Sequence, residues 1–498
     1  MGHTFFIIII YHVGIMRSRL LASMMTLALL SCTTTPQPTL YTQHVTFPEG
    51  ATLSEKVDMV SRLVPSEAQL RWQQLELSAF IHFGMNTFTG SEWGSGTDSP
   101  AMFNPTALDC EQWVRTLKEG GFKLVILTAK HHDGFCLWPT ATTDYSVKQS
   151  PWREGKGDVV RELRDACAKY GMKFGVYLSP WDRNAECYGD SPAYNSLYIA
   201  QLTELLTEYG HIDEVWFDGA CGEGTNGRKQ EYDWSAILRC VEEHQPDAVT
   251  AIMGDDIRWV GNEGGVGRAT EWSATMIAPG SYVDKIAENK RLGLEEMSKD
   301  LGSRELLAKA NEAYWYPSEV DVSIRPGWFY HSEEDGKVRS LGNLVDIYYR
   351  SVGSNSGLLL NIPPDQRGLI HEVDAERIKA FGDYIRTTFE KNYLAERSTT
   401  WHAIAGESRE YAVEKGAKVN TLLLQEDIAQ GQRVESFVVE GMINGEWREL
   451  CSGTTIGYKR LLRFDECHPE RLRITITESR STANIKSIGL YYAKPIIE

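Results

Sequence analysis

The 498-residue chain is short of several things, and each shortage closes off a class of function. Cysteine is sparse. Apart from Cys32 there are eight: Cys110, Cys136, Cys167, Cys187, Cys221, Cys240, Cys451 and Cys467. No pair has the two-residue spacing of a zinc site, and no His-x-His triplet occurs. Positive charge is also short, with 51 Lys and Arg against 68 Asp and Glu and a net charge of −17. That is the wrong sign for a protein that draws its affinity from phosphates, so no nucleic-acid partner is expected. The apolar run from Phe5 to Ile10 is too brief to span a bilayer. What is present is ample apolar material, 42% of residues, with 24% charged; a disordered chain is excluded. The 14 Trp, 22 Tyr and 16 Phe suit a cleft that uses ring faces.

The N-terminus reads as an address. A second start at Met16 is followed by Arg17 and Arg19, an apolar stretch from Leu20 to Leu30, and Leu30-Ser31-Cys32. This ending resembles a bacterial lipoprotein signal. It implies export, lipidation of Cys32 as the mature N-terminus, and membrane attachment through that lipid alone, in a periplasmic or cell-surface lipoprotein. The Thr33–Pro38 stretch reads as a tether, so residues 1–45 are taken as leader and tether. An even cysteine count in an exported chain permits disulfides, but several of the eight lie in apolar periodic segments, where buried free thiols fit equally well.

From residue 46 onward, buried-strand and amphipathic-helix patterns alternate. Strands are expected at Ser78–Gly84, Phe122–Ala129, Lys173–Ser179 and Glu214–Asp218, with weaker signals at Ala248–Met253, Arg258–Gly261, Val320–Ile324 and Leu358–Ile362. Helices are expected at Leu108–Glu119, at Asp158–Tyr170 with Asp158 as N-cap, and at Leu197–Tyr209, Leu341–Ser351 and Ala375–Phe389. The fold class is α/β: a (β/α)8-like barrel over residues 46–395, preferred to an open sheet. After Glu396 the pattern turns to strand-like alternation at Asn420–Leu424, Ser436–Glu440 and Leu472–Thr477, with a turn at Asn444-Gly445. Residues 396–498 therefore read as a C-terminal β-sandwich domain.

In a barrel the chemistry gathers where strands end. The strand ends carry His82, then His131 and His132, then Tyr177, then Asp218, and later Glu263 before a glycine loop. Each has a plain alternative. His82 alone is more often structural, one of two adjacent histidines can be, Asp218 can cap a helix, and Glu263 can be a solvated loop acid. Gly219, Gly222 and Gly224 would let a ligand approach the backbone. Agreement among unrelated strands favours a site. Two carboxylates with histidines and rings match the needs of glycoside hydrolysis. A metal site from His82, His131, His132 and Asp218 ranks second, because adjacent histidines rarely chelate one ion. No metal and no cofactor are expected.

FIHFG (80–84), GSEWG (90–94), KHHDGF (130–135), VYLSPWDRN (176–184), EVWFDG (214–219) and RWVGNEGG (258–265) together resemble the α-L-fucosidases of glycoside hydrolase family 29. SIRPGWFYH (323–331), GLLLNIPPDQRG (357–368) and LLLQEDIAQGQRVESFVVEG (422–441) agree, so the resemblance runs from residue 70 to the end. It implies a retaining, exo-acting double displacement on a fucosylated oligosaccharide or glycan. Asp218 matches the nucleophile and Glu263 the general acid/base, with Glu271 a competing carboxylate. His82, Glu92, Trp93, His131, His132 and Tyr177 match the residues that hold fucose hydroxyls, and Trp328 is the candidate wall against the C5 methyl. The RWVGNE and SEWG motifs resemble the branch that acts on α-1,3/α-1,4-fucosylated branched glycans. A catalytically weak glycan-binding surface protein and a metal-dependent barrel hydrolase are the alternatives. For the sandwich, support of the barrel is favoured over sugar binding.

Overall fold

The computed structural model describes residues 42–497 other than 225, 281, 282, 296 and 397. The lipoprotein leader with Cys32 lies outside the described residues. Eight parallel strands form the barrel in chain order: Leu77–Ile81, Leu124–Lys130, Lys173–Leu178, Glu214–Phe217, Val249–Ile252, Arg258–Trp259, Ser318–Ser323 and Gly357–Asn361. The eighth pairs back onto the first, Leu358 opposite Leu77. Between the fifth and sixth strands the ring is joined by the single bridge Ala251–Ile257, so the barrel is nearly closed.

Period-two alternation explains why these segments close into a barrel. Val125, Leu127 and Ala129 of the second strand face the surrounding helices, whereas Leu124 and Ile126 join the interior cluster. Phe80, Tyr177, Trp216 and Leu359 occupy the same interior from other strands, above Trp72. The seventh strand keeps the alternation but turns its polar residues inward. Val320 and Val322 pack outward, which leaves Glu319, Asp321 and Ser323 in the inward row.

The helices Cys110–Glu119, Val159–Tyr170, Ser191–Glu208, Trp234–His244, Leu341–Arg350 and Glu372–Phe389 cover the barrel. Asp158 caps its helix as expected, accepting the Arg161 N–H at 2.8 Å. The third of these helices begins six residues before the expected Leu197, because Ser191 and Pro192 are accommodated in its first turn.

A small sheet of Ala274–Thr275, Glu312–Trp315 and His44–Thr46 stands beside the long connection between the sixth and seventh strands. His44 and Val45, at the end of the segment read as leader and tether, belong to this sheet.

The C-terminal residues form two four-stranded antiparallel sheets that sandwich one core containing Leu422, Leu424, Phe437, Val439, Ile474 and Ile476. The turn at Asn444-Gly445 joins Val434–Ile443 to Glu446–Gly453. All eight cysteines among the described residues are free. No helix there is long and apolar enough to cross a membrane.

Candidate active site

The strand ends open into a cavity of about 540 Å³. All nine residues singled out from the sequence line it: His82, Glu92, Trp93, His131, His132, Tyr177, Asp218, Glu263 and Trp328.

Asp218 leaves the fourth strand with both oxygens engaged. Its Oδ1 accepts the Ala220 N–H at 2.8 Å, which fixes the turn. Its Oδ2 accepts the Tyr177 hydroxyl at 2.9 Å and lies 3.8 Å from His132 Nε2. Capping of the following helix falls instead to Asp233. Burial, reinforced by the Asp218 charge, pushes the Tyr177 phenol far above its ordinary range, so it remains a donor.

The three histidines are neutral bases. Burial drives His82 down to about 3, holds His131 well below the usual range, and lowers His132 despite Asp218 nearby. Their partners set the tautomers. Asn361 gives its amide hydrogens to Ser323 Oγ (2.9 Å) and the Trp328 carbonyl (2.8 Å), so its oxygen accepts His82 Nδ1–H at 2.9 Å. The Ser179 hydroxyl donates to the Trp181 carbonyl, so it accepts His132 Nδ1–H at 2.7 Å. His82 and His132 therefore each keep an Nε2 lone pair for a hydroxyl donor. His131 stacks on Tyr177 with centroids 5.7 Å apart. Both of the adjacent histidines face the cavity.

Glu263 is exposed on the loop after the sixth strand and accepts Trp328 Nε1–H at 3.3 Å. The Trp328 loop is held by Glu92, which accepts the backbone N–H of Trp328 at 2.8 Å and contacts His331 Nε2 at 2.6 Å. Trp93 forms the rim, 55% exposed and edge-on to Trp181. Glu271, the competing carboxylate, is fully buried and ion-paired with Arg258 and, at 3.2 Å, with Arg268. It does not line the cavity.

Gly219 lines the cavity, but Gly222 and Gly224 do not. The space a side chain would need at Gly222 is filled by the Trp181 ring, and at Gly224 by the Tyr188 backbone. Those two glycines serve close packing rather than ligand approach.

Sequence reasoning missed Asp321, Trp216, Trp259 and Asn361. Asp321 is buried in the cavity wall and accepts Trp259 Nε1–H at 2.7 Å; burial raises its carboxyl well above the usual range, and the Glu263 charge adds to this. The alternation of acids with valines in SEVDVS was the available signal. Among the described residues no group of three His, Cys, Asp or Glu side chains is arranged to hold a metal ion.

The family model described as Alpha-L-fucosidase matches residues 58–390. Alpha-L-fucosidase 1 of Arabidopsis thaliana is 41% identical over 466 residues, covering 86% of this chain and 88% of that protein. A solved structure from Bacteroides ovatus, provisionally described as an alpha-L-fucosidase, is 62% identical with a TM-score of 0.90, covering 92% of this chain and 79% of the other. A glycoside hydrolase family 29 fucosidase of Ruminococcus gnavus, solved in complex with fucose, is 31% identical with a TM-score of 0.76 and covers 86% and 95% of the two chains.

Proposed function

This chain belongs to the alpha-L-fucosidase family, a retaining family of glycoside hydrolases, and from that premise we propose how its own residues divide the work. Asp218 attacks the anomeric carbon of fucose and forms the fucosyl-enzyme, while Glu263 protonates the departing oxygen. Glu263 then draws a proton from the water that releases fucose. The observation that carries this reading is the contrast among carboxylates. Asp218 and Glu263 are accessible from one cavity, whereas Glu271 is buried beneath two arginines. Tyr177 and the turn at Ala220 aim Asp218, and the Nε2 atoms of His82 and His132 accept sugar hydroxyls. The Trp328 ring, tilted against His82 at 5.0 Å, walls off the C5 methyl.

The preferred substrates in this reading carry α-1,3- or α-1,4-linked fucose on branched glycans, which the RWVGNE and SEWG motifs support. The test is a substrate panel: Lewis trisaccharides against 2′-fucosyllactose and an aryl fucoside. The Lewis trisaccharides are expected to be cleaved fastest, and activity on the aryl fucoside alone would overturn the linkage assignment. Asp218→Asn is expected to lose more than about 10³-fold in turnover on every substrate with the fold retained; near-normal activity would reassign the nucleophile.

Export and anchoring through lipidated Cys32 complete the proposal, supported by the Leu30-Ser31-Cys32 boundary. Cys32→Ser, expressed in a bacterium from Met16, is expected to move the protein out of the membrane fraction. An unchanged distribution would count against lipidation.

A further inference from the structure

The barrel interior holds a second pair of carboxyls that the hydrolytic reading leaves unused. Glu214 and Glu319 project inward from the fourth and seventh strands, 0% and 1% exposed. One oxygen of each is held by an indole: Trp72 Nε1 donates to Glu214 Oε2, and Trp216 Nε1 donates to Glu319 Oε2, both at 2.8 Å. The other oxygen of each, Oε1, is buried with no hydrogen-bond partner. The carboxyls act on one another: Glu319 is the foremost charge felt by Glu214, and Trp216, two residues from Glu214 on the same inward row, reaches Glu319 with its indole.

The foremost charges acting on Glu214 are negative. Glu214 faces Glu319 first, then Asp213 and Asp256, and Asp321 follows Glu319 on its own row. Two ionised carboxylates buried side by side in the barrel interior would be strongly unfavourable. A proton placed between the two Oε1 atoms gives one a donor and the other an acceptor, and it leaves both Oε2 atoms free to accept their indoles. Burial acts the same way, pushing both carboxyls up, Glu319 to about 7.

We propose that Glu214 and Glu319 share a single proton between their Oε1 atoms, and that this dyad positions the nucleophile by fixing Trp216. The indole of Trp216 stacks on Tyr177 with centroids 5.5 Å apart and planes at 26°. Tyr177 in turn donates to Asp218. Glu319 is thus a positioning residue, with Trp216 and Tyr177 standing between it and Asp218. The positioning half of the inference rests on Asp218 being the nucleophile; the shared proton does not.

The test uses the full-length enzyme. Infrared spectra at pH 8.5, above the value of about 7 reached by Glu319, are compared between wild type and the isosteric double variant Glu214→Gln/Glu319→Gln, in the C=O stretching region of protonated carboxyls. The expected difference is the loss of one protonated carboxyl. Loss of two, meaning independent acids, or of none, meaning two carboxylates, would overturn the shared proton. In parallel, Glu319→Gln is expected to keep kcat on an aryl fucoside within about twofold, since its amide oxygen still accepts the Trp216 N–H. Glu319→Leu is expected to lower kcat about tenfold with KM little changed. A folded Glu319→Leu enzyme with wild-type kcat would overturn the positioning role. The proton count remains decisive if that variant does not fold. It also stands apart from the Asp218→Asn result, so the two failures can be told apart.

Discussion

At the scale of single residues, the roles of the acids follow from solvent access and from what covers them. Glu263 is exposed and touched only lightly, by an indole at 3.3 Å. Glu271, eight residues on, is fully buried against Arg258 and Arg268. Removing one member of a buried charged group strands the others, at a cost of about 3 kcal/mol or more. Glu271→Gln is therefore expected to lower the denaturation midpoint markedly. Glu263→Gln is expected to leave stability unchanged and to cut turnover about 10²–10³-fold on a glycan substrate. On an aryl fucoside whose phenol leaves unassisted, the Glu263→Gln loss should be much smaller. Equal losses on both substrates would argue against Glu263 as the proton donor. Both glutamates were visible in the sequence as candidates, but nothing local separates them. Their difference lies in contacts with Arg258, with Arg268 and with the sandwich residue Thr455, whose hydroxyl accepts the Glu271 N–H at 3.1 Å.

At the scale of elements, local chemistry sets most boundaries. Asp158 starts its helix, and the Asn444-Gly445 pair closes its hairpin with both residues at positive φ, 53° and 80°. No atom lies within 4 Å of where a Gly445 side chain would begin, so the demand there is purely conformational. Gly445→Ala is expected to destabilise the protein by about 1–2 kcal/mol, read by chemical denaturation, with no effect on kcat. The long connection between the sixth and seventh strands was less legible. Its small sheet recruits His44–Thr46, more than 200 residues away in sequence, and such pairing leaves no periodic trace.

At the scale of the whole molecule, buried acids and buried histidines pull the pH dependence in opposite directions. Asp133, Glu319 and Glu426 are pushed up to about 7 and Asp256 to about 6, chiefly by burial. In the unfolded chain these acids ionise near pH 4, so between about pH 4 and 7 the folded state binds more protons and stability falls as pH rises. His82, His131 and His132 have lowered values, so the unfolded chain binds more protons below about pH 6.5 and their contribution is lost as pH falls. The raised acids, joined by Glu214 and Asp321, outnumber these histidines. The thermal midpoint is therefore expected to peak on the acid side of neutrality, about pH 5, and to decline toward pH 8. A midpoint that rises steadily from pH 5 to 8 would contradict this balance. The sandwich acts at the same scale. Besides Thr455, Gln432 holds the segment of Glu271 and Ser273. None of the described cavity-lining residues comes from the sandwich, as its reading as a support implies.

The sequence by itself determined the α/β barrel with its sandwich, the family resemblance and the nine residues that meet at the cavity. The fold rests on local periodicity and turn chemistry, six of the nine residues on motifs at strand ends, and Glu92, Trp93 and Trp328 on the family resemblance, all of which are written in short windows. Only the tertiary structure decided which carboxylates face the cavity, which tautomers His82 and His132 adopt, and that Glu214, Glu319 and Asp321 lie inside the barrel. Burial and hydrogen-bond partnership belong to residues brought together from distant strands. The Trp216–Glu319 contact, which spans 103 positions, is invisible until the barrel closes.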